Sequence, residues 1–161
     1  MAGLPIATGI AQVGIEKGAD WLVVCLLGDS ELYEGSNWEA AFFAGQKCQS
    51  NLICIVDRNQ QGVLGFSDQV ESAKDGPGLN PLDAKFAAFG FEVRTIQDGH
   101  DFAQVFAGLA GIRGRRGRPP LAIIAQTVKG KGASVMENKR LWHYRVPTGQ
   151  ELATTRAELR G

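Results

Sequence analysis

The fold of this protein is decided by residues 21–59, which read WLVVCLLGDSELYEGSNWEAAFFAGQKCQSNLICIVDRN. Two apolar runs of strand length, at 21–27 and 52–56, are each closed by a short polar segment. Gly28-Asp29-Ser30 follows the first run and Asp57-Arg58-Asn59 follows the second. If the runs are neighbouring parallel strands, Asp29 and Asn59 lie side by side at their carboxyl ends, the edge where open α/β sheets bind ligands.

A carboxylate and an amide oxygen at that edge are hard donors that suit Mg²⁺, which takes few protein ligands and shares phosphate oxygens. Asp29 and Asn59 also favour turns after strands, so a purely structural interpretation of each residue stays open. As a pair at one sheet edge, they predict a site for a metal ion with a diphosphate.

Outward from this stretch, strands alternate with helical segments. Helices are predicted at 5–17, 36–49, 81–89, 101–113 and 148–159, with further strands at 91–96 and 120–126. Ser36 and Glu39 have the spacing of a capping box, and the long segment 57–81 predicts a functional loop. The alternation predicts an α/β fold: a doubly wound, mostly parallel sheet with helices on both faces.

The composition limits the number of domains and the kinds of partner that the protein can have. The 161 residues, 44% of them hydrophobic, suit one globular domain. Lys plus Arg and Asp plus Glu both number 17, so the net charge indicates neither nucleic acid nor an anionic membrane as a partner. The sequence has no run of 18 apolar residues and no signal-like start, and its three cysteines lack metal spacing. We therefore expect a cytoplasmic protein.

The basic segment RGRRGR, from Arg113 to Arg118, allows two interpretations. It has the charge of an anion or nucleic-acid patch. It lacks interleaved aromatic residues, however, and the chain as a whole carries no net charge. We therefore expect a solvated turn between a helix and a strand.

The segment from Gly28 to Gln61 resembles the thiamine-diphosphate fingerprint of the transketolase family, Gly-Asp-Gly followed by Asn after the next strand. The inner blocks EGSNWEAA, AG and NLI are similar to that family as well. Further similar blocks are Gly3-Leu4-Pro5 with TGIA, KGKG at 129–132, Met136-Glu137 and Trp142-His143-Tyr144. The resemblance implies the thiamine-diphosphate-binding fold and makes residues 1–161 a single, partial diphosphate-binding domain.

The resemblance also implies the cofactor contacts. Asp29 and Asn59 would give side-chain oxygens to Mg²⁺, and Gln61 would give its backbone carbonyl. Backbone N–H groups of the turn after the first strand would face the diphosphate, as amides in tight turns do. An apolar side chain near the amino terminus would pack against the thiazolium ring. The implied cofactor-binding set is Leu4, Gly28, Asp29, Ser30, Glu31, Asn59 and His143.

Two residues are implied as catalytic. His143 would touch the diphosphate or the reacting end of the substrate, and Glu34 would join the carboxylate network that links paired active sites. Each also has a structural interpretation, His143 as part of an aromatic cluster and Glu34 as a solvated loop acid. The second histidine, His100, lies in a recurrent family turn and is expected to be structural.

This sequence departs from the family pattern in two ways. Ser30 stands where the family has glycine, so its side chain either crowds the phosphate or donates a hydroxyl hydrogen bond. The family also has a longer segment ahead of Gly3, together with pyrimidine-binding and C-terminal domains. We therefore expect one subunit of a split transketolase-like hetero-oligomer built on a dimer, with partner chains supplying those parts.

The expected reaction moves a two-carbon ketol unit from a ketose to an aldose, with sugars or sugar phosphates as substrates. The chemistry belongs to the cofactor, and this domain anchors it. Two alternatives remain: a subunit of another thiamine-diphosphate enzyme, of the deoxyxylulose-phosphate synthase or 2-oxo-acid dehydrogenase type, or a non-catalytic scaffold. The blocks EGSNWEAA and WHY favour transketolase.

Overall fold

The computed structural model describes residues 3–62, 65–66 and 78–160. Along these residues, helices and strands alternate as the sequence predicts. The elements in chain order are α1 Gly3–Glu16, β1 Val23–Gly28, α2 Gly35–Gln46, β2 Leu52–Arg58, β3 Gln61–Gly62, β4 Gly65–Phe66, α3 Leu82–Ala88, β5 Glu92–Ile96, α4 Phe102–Gly108, β6 Leu121–Gln126 and α5 Gly149–Glu158. Short 3₁₀ helices at Asp29–Tyr33 and Arg140–His143 complete the set.

The main sheet has four parallel strands in the order β1-β2-β6-β5. In the register of β1 and β2, Val23 pairs with Leu52 and Gly28 pairs with Asp57. The two strands are neighbours, as predicted, and their carboxyl ends lie together. The polar segments that follow them therefore start from the same edge of the sheet.

Helices cover both faces of the sheet, which confirms the expected α/β class. Alternating strand residues such as Leu27 and Cys54 point to one face, where they pack with α1, α2 and α3. The residues between them, such as Ile53 and Ile123, point to the other face, where Val105 of α4 packs. Burial on both faces explains why β2 and β6 read as continuous apolar runs, whereas on β1 the second face, with Val24 and Leu26, is exposed.

The start of α2 corrects the predicted capping box. The helix begins at Gly35 with Glu34 at the N-cap, so Ser36 lies in the first turn and is exposed. The preceding 3₁₀ helix sets this boundary, because Asn37 Nδ2 donates to the Glu31 carbonyl at 2.8 Å and Trp38 Nε1 donates to the Leu32 carbonyl at 2.6 Å. These two side-chain hydrogen bonds hold the first turn of α2 against the preceding 3₁₀ helix.

Two other boundaries differ from the prediction. Helix α4 ends at Gly108, well before residue 113, and Gly111 follows with φ of 65°. Within the predicted loop 57–81, β2 continues to Arg58, and a short antiparallel pair joins β3 with β4. Residues 63–64 and 67–77 of that loop lie outside the described residues.

The basic segment forms the turn between α4 and β6, but it is not fully solvated. Arg115 is 2% exposed and forms an ion pair with Glu92, Nη2 to Oε2, at 3.1 Å. The expectation of a solvated turn was therefore wrong at Arg115, because β5 places a carboxylate beside it. Among the described residues, no helix is long and apolar enough to span a membrane.

Gly45 in α2 allows a close approach between backbone segments. A Cβ added there would lie 1.6 Å from the carbonyl oxygen of Phe89. Gly45→Ala is therefore expected to lower the free energy of unfolding by about 3 kcal/mol, because neither backbone can yield easily. Urea denaturation followed by circular dichroism measures this difference.

Gly9→Ala in α1 is the matched control, since an added Cβ there meets nothing within 4 Å. It is expected to stabilise the protein by about 0.5–1 kcal/mol through helix propensity alone. Equal stability of the two variants would contradict the close approach at Gly45.

Candidate functional site

The carboxyl edge of the sheet brings Asp29 together with the segment that follows β2. Asp29 lies directly after β1 and is 1% exposed. Its Oδ2 accepts hydrogen bonds from Arg58 Nη1 and from the backbone N–H of Gln60, both at 2.8 Å. The two polar segments quoted at the outset therefore meet at one carboxylate.

Asn59 lies in the short turn between β2 and β3, and Gln61 begins β3. Gln60, between them, has φ of 61°, a left-handed conformation that bends the chain back toward Asp29. Asn59 Oδ1 accepts from the backbone N–H of Gln61 at 3.0 Å, and Gln61 Nε2 donates to Asn138 Oδ1 at 3.2 Å. The predicted metal ligands thus come from one turn and the carboxylate that this turn contacts.

Arg58 is a member of this site that the motif did not indicate. It is 2% exposed, and besides Asp29 it contacts Asn80, Nη2 to Oδ1, at 3.2 Å. Strand alternation contains the signal that would have found it: in β2, Leu52, Cys54 and Val56 are buried on one face, and position 58 continues that series. A buried guanidinium so placed needs a carboxylate, and Asp29 supplies it.

The donor set fits Mg²⁺ by its chemistry. A carboxylate, an amide oxygen and a backbone carbonyl are all hard oxygen donors, and Mg²⁺ completes its shell with water and phosphate oxygens. Among the described residues, no cluster of three or more His, Cys, Asp or Glu forms a metal cage. A site with so few protein ligands therefore depends on a ligand that brings oxygens of its own.

The turn after β1 holds the residues expected to face a diphosphate. The backbone N–H of Gly28 donates to Glu31 Oε1 at 3.1 Å, which ties the two ends of the turn together. The Ser30 hydroxyl donates to Asp29 Oδ1 at 3.3 Å. The hydroxyl that replaces the family glycine's hydrogen is therefore directed at the carboxylate in this conformation.

His143 comes to this site from the far end of the chain. It ends the 3₁₀ helix Arg140–His143, and its buried Nδ1 has no hydrogen-bond partner among the residues that the structure describes. Burial, followed by the charge of Lys129, lowers the pKa of His143, while the Asp29 carboxylate acts in the opposite direction. The ring is therefore neutral at pH 7, with one buried nitrogen able to bond a ligand.

Glu34 and Leu4 lie apart from this group. Glu34 is exposed at the N-cap of α2, while Leu4 is fully buried in the core beneath the sheet. Their expected roles, in a carboxylate network and against a thiazolium ring, stay predictions. His100 Nε2 accepts from the backbone N–H of Val128 at 2.8 Å, which suits its expected structural role.

The fold and this edge together define a class of protein. A parallel α/β sheet gathers a buried carboxylate, an amide and a histidine whose Nδ1 has no partner among the described residues, all at the carboxyl ends of its strands. That is the arrangement of an α/β domain with a ligand site at this edge of the sheet.

A comparison with protein families identifies which domain it is. Residues 7–160 match the family described as transketolase, thiamine diphosphate binding domain. The chain belongs to this family.

Individual relatives with similar sequences are named as transketolase subunits. The chain is 41% identical over 158 residues to an apulose-4-phosphate transketolase subunit from Actinobacillus succinogenes, which covers 98% of this chain and 54% of that protein. It is 34% identical over 141 residues to a 6-deoxy-6-sulfo-D-fructose transketolase subunit from a Clostridium species, covering 88% of this chain and 48% of the relative. The chain thus spans about half the length of these curated relatives.

A solved structure agrees in fold. Campylobacter jejuni transketolase superposes with a TM-score of 0.81 at 27% identity, covering 98% of this chain and 24% of that one.

Proposed function

We propose that this chain is the diphosphate-binding part of a split transketolase-like enzyme. The observation that carries the proposal is the meeting of Asp29, the turn at 58–61 and His143 at one sheet edge, in a chain of this family. Thiamine diphosphate, when bound, supplies the nucleophilic carbon for two-carbon ketol transfer from a ketose to an aldose.

Different groups of the site bind the metal ion and the diphosphate in this proposal. Asp29 and Asn59 hold Mg²⁺ through side-chain oxygens, and Gln61 holds it through its backbone carbonyl. N–H groups in the turn after β1 face the diphosphate oxygens. Neutral His143 bonds to the diphosphate or to the reacting end of the substrate, and Lys129 beside it adds positive charge toward the same anion.

Glu34 and Leu4 are the two remaining residues of the proposed site, and both lie apart from the group around Asp29. Glu34 is exposed at the N-cap of α2, which supports a role in a carboxylate network with a second active site. Leu4 is buried in the core, so its proposed contact with the thiazolium ring requires the start of α1 to move when the cofactor binds. The cofactor-binding and catalytic set is thus the one named from the sequence, with Arg58 added as the residue that holds Asp29.

Exposed apolar side chains support a hetero-oligomer. On α1, Ile6 and Ile10 are 64% and 50% exposed, and on β1, Val24 and Leu26 are 52% and 69% exposed. Surfaces of this kind mark protein interfaces. A chain that carries the pyrimidine-binding and C-terminal domains is the proposed partner, and the relatives named as subunits support this arrangement.

A cytoplasmic setting is part of the proposal. Cys25 and Cys54 are buried free thiols, and burial raises the pKa of both, so they remain protonated. Such thiols suit a reducing compartment.

Titration calorimetry on the purified assembly tests the proposed function. We expect thiamine diphosphate to bind saturably with Mg²⁺ present, and EDTA to abolish that binding. Ketol transfer from a ketose to an aldose separates a transketolase from other thiamine-diphosphate enzymes. Absence of cofactor binding with all partner chains present would leave a scaffold role instead.

Ser30 gives a prediction specific to this chain. Its hydroxyl contacts Asp29 Oδ1, so Ser30→Gly is expected to weaken cofactor binding by about 0.5–1.5 kcal/mol in the assembly, since one hydrogen bond to a ligating carboxylate is lost. The measurement is the dissociation constant of thiamine diphosphate at fixed Mg²⁺. Tighter binding in the glycine variant would show that the serine crowds the phosphate.

A further inference from the structure

A second concave site lies at the amino ends of the strands, opposite to the proposed cofactor site. The cavity has a volume of about 410 Å³ and is lined by the turn after α1, the turn between α2 and β2, and residues 114–117 before β6. This volume is within the range of small-molecule sites. Strand β1 has 6 residues, so the two sites are separated by roughly 20 Å of sheet.

Positive charge is in excess beside this cavity. Glu92 forms ion pairs with three guanidinium groups: Arg94 at 3.0 Å, Arg115 at 3.1 Å and Arg118 at 2.6 Å. One carboxylate cannot neutralise three arginines. Arg116 lines the cavity and adds a further positive charge, which Asp20, the single acidic residue of the described lining, offsets only in part.

Two buried polar groups of opposite kind are left unsatisfied in the lining. Arg115 Nη2 is bonded to Glu92 and to the Pro119 carbonyl, but its Nε and Nη1 are buried with no acceptor among the described residues. Asn51 Nδ2 donates to the Ala11 carbonyl at 3.0 Å, while its buried Oδ1 meets no donor in the same part of the chain. Unsatisfied buried groups are costly, particularly on a charged side chain.

We propose that this cavity binds a small organic anion of the hydroxylated phosphate-ester class. Its anionic oxygens accept hydrogen bonds from the unsatisfied nitrogens of Arg115 and balance the charge of Arg116. A hydroxyl group of the same ligand donates to Asn51 Oδ1. The half-exposed indole of Trp21, in the same lining, packs against the carbon skeleton.

Glycerol 3-phosphate and inorganic phosphate are the probes, titrated at constant ionic strength against the full chain, alone and in its assembly. Calorimetry is expected to show saturable binding in both forms, with the ester binding more tightly than phosphate. Tryptophan fluorescence is expected to change with saturation, and Trp21→Phe is expected to remove that change.

Variants locate the site. Arg115→Lys keeps a cation beside Glu92 but loses the unsatisfied nitrogens, and it is expected to weaken binding by at least about tenfold. Arg116→Glu reverses a charge on an exposed lining residue, where folding is not at risk, and is expected to weaken binding to a similar degree. Arg156→Glu is the matched control, since it makes the same charge reversal at an exposed position of α5 outside the lining, and it is expected to stay within about threefold of the natural chain.

Three results would overturn the proposal. The first is absence of saturable binding, and the second is an equal loss of affinity in Arg116→Glu and Arg156→Glu, which would indicate that only the net charge of the protein matters. The third is binding to the isolated chain that disappears in the assembly, which would mean that a partner's acidic side chain occupies the cavity. If Arg115→Lys does not fold, Arg116→Glu and the fluorescence of Trp21 still decide the matter.

Discussion

Asp29→Asn is expected to weaken Mg²⁺-dependent binding of thiamine diphosphate by about a hundredfold or more in the assembled protein. The change keeps the size of the side chain and removes the only charged protein ligand in the proposed metal site. A loss of about 3 kcal/mol is the scale for a charge-assisted contact in a water-poor site, and it corresponds to that change in Kd. Titration calorimetry with and without Mg²⁺ measures it.

Asparagine is the informative replacement, because it keeps one oxygen that can accept a hydrogen bond from Arg58, whereas alanine would remove the charge and both oxygens. Either change removes the negative charge that pairs with the buried Arg58 guanidinium, so the free energy of unfolding of Asp29→Asn is measured beside its Kd. Asp83→Asn, the same chemical change at an exposed position of α3, is the control and is expected to leave Kd unaltered. An unchanged Kd in Asp29→Asn would remove Asp29 from the metal site.

Arg58→Met is expected to lower the free energy of unfolding of the metal-free protein by about 3 kcal/mol. The Arg58 and Asp29 side chains are 2% and 1% exposed and lie 2.8 Å apart, so removing one leaves the other charge buried without its partner. Urea denaturation in EDTA measures the loss. Arg118→Met, which breaks an ion pair with a half-exposed side chain, is the control and is expected to cost less than about 1 kcal/mol.

Arg58→Met also tests whether Mg²⁺ binds at Asp29, because added Mg²⁺ is expected to stabilise the variant that is destabilised in EDTA. With Arg58 gone, Mg²⁺ becomes the cation that compensates Asp29, so adding Mg²⁺ should raise the melting temperature of Arg58→Met more than that of the natural chain. The double variant Asp29→Asn with Arg58→Met should recover part of the lost stability, because it buries neither charge. Equal stability of Arg58→Met and Arg118→Met would contradict the importance of the buried pair.

The sequence was sufficient for the sheet and for the edge that carries the site. Strands β1 and β2 are apolar runs of strand length, and each is followed by a polar segment at its carboxyl end. The register was not predicted: Gly28 pairs with Asp57, so the residue across from Asp29 is Arg58 rather than Asn59. These predictions depend on local pattern and on one rule of sheet geometry.

What the sequence did not reveal depends on contacts between distant segments. The ion pair of Arg58 with Asp29 joins residues at the ends of two strands, and that of Arg115 with Glu92 joins a turn to another strand. The start of α2 was predicted wrongly because the side chains of Asn37 and Trp38 donate hydrogen bonds to carbonyls of the preceding 3₁₀ helix. The helix therefore begins before Ser36, which does not act as its N-cap. A local pattern cannot report such partners.

The Asp29–Arg58 ion pair also bears on whether the protein folds before or after it binds its cofactor. Many metal domains cannot complete their fold until the ion arrives, because the ligands repel one another or remain desolvated without it. Here the carboxylate already has a cationic neighbour supplied by the chain itself. Under the proposed function, newly made protein would therefore fold before its cofactor binds, so a shortage of the cofactor would leave a folded, inactive protein rather than a misfolded one.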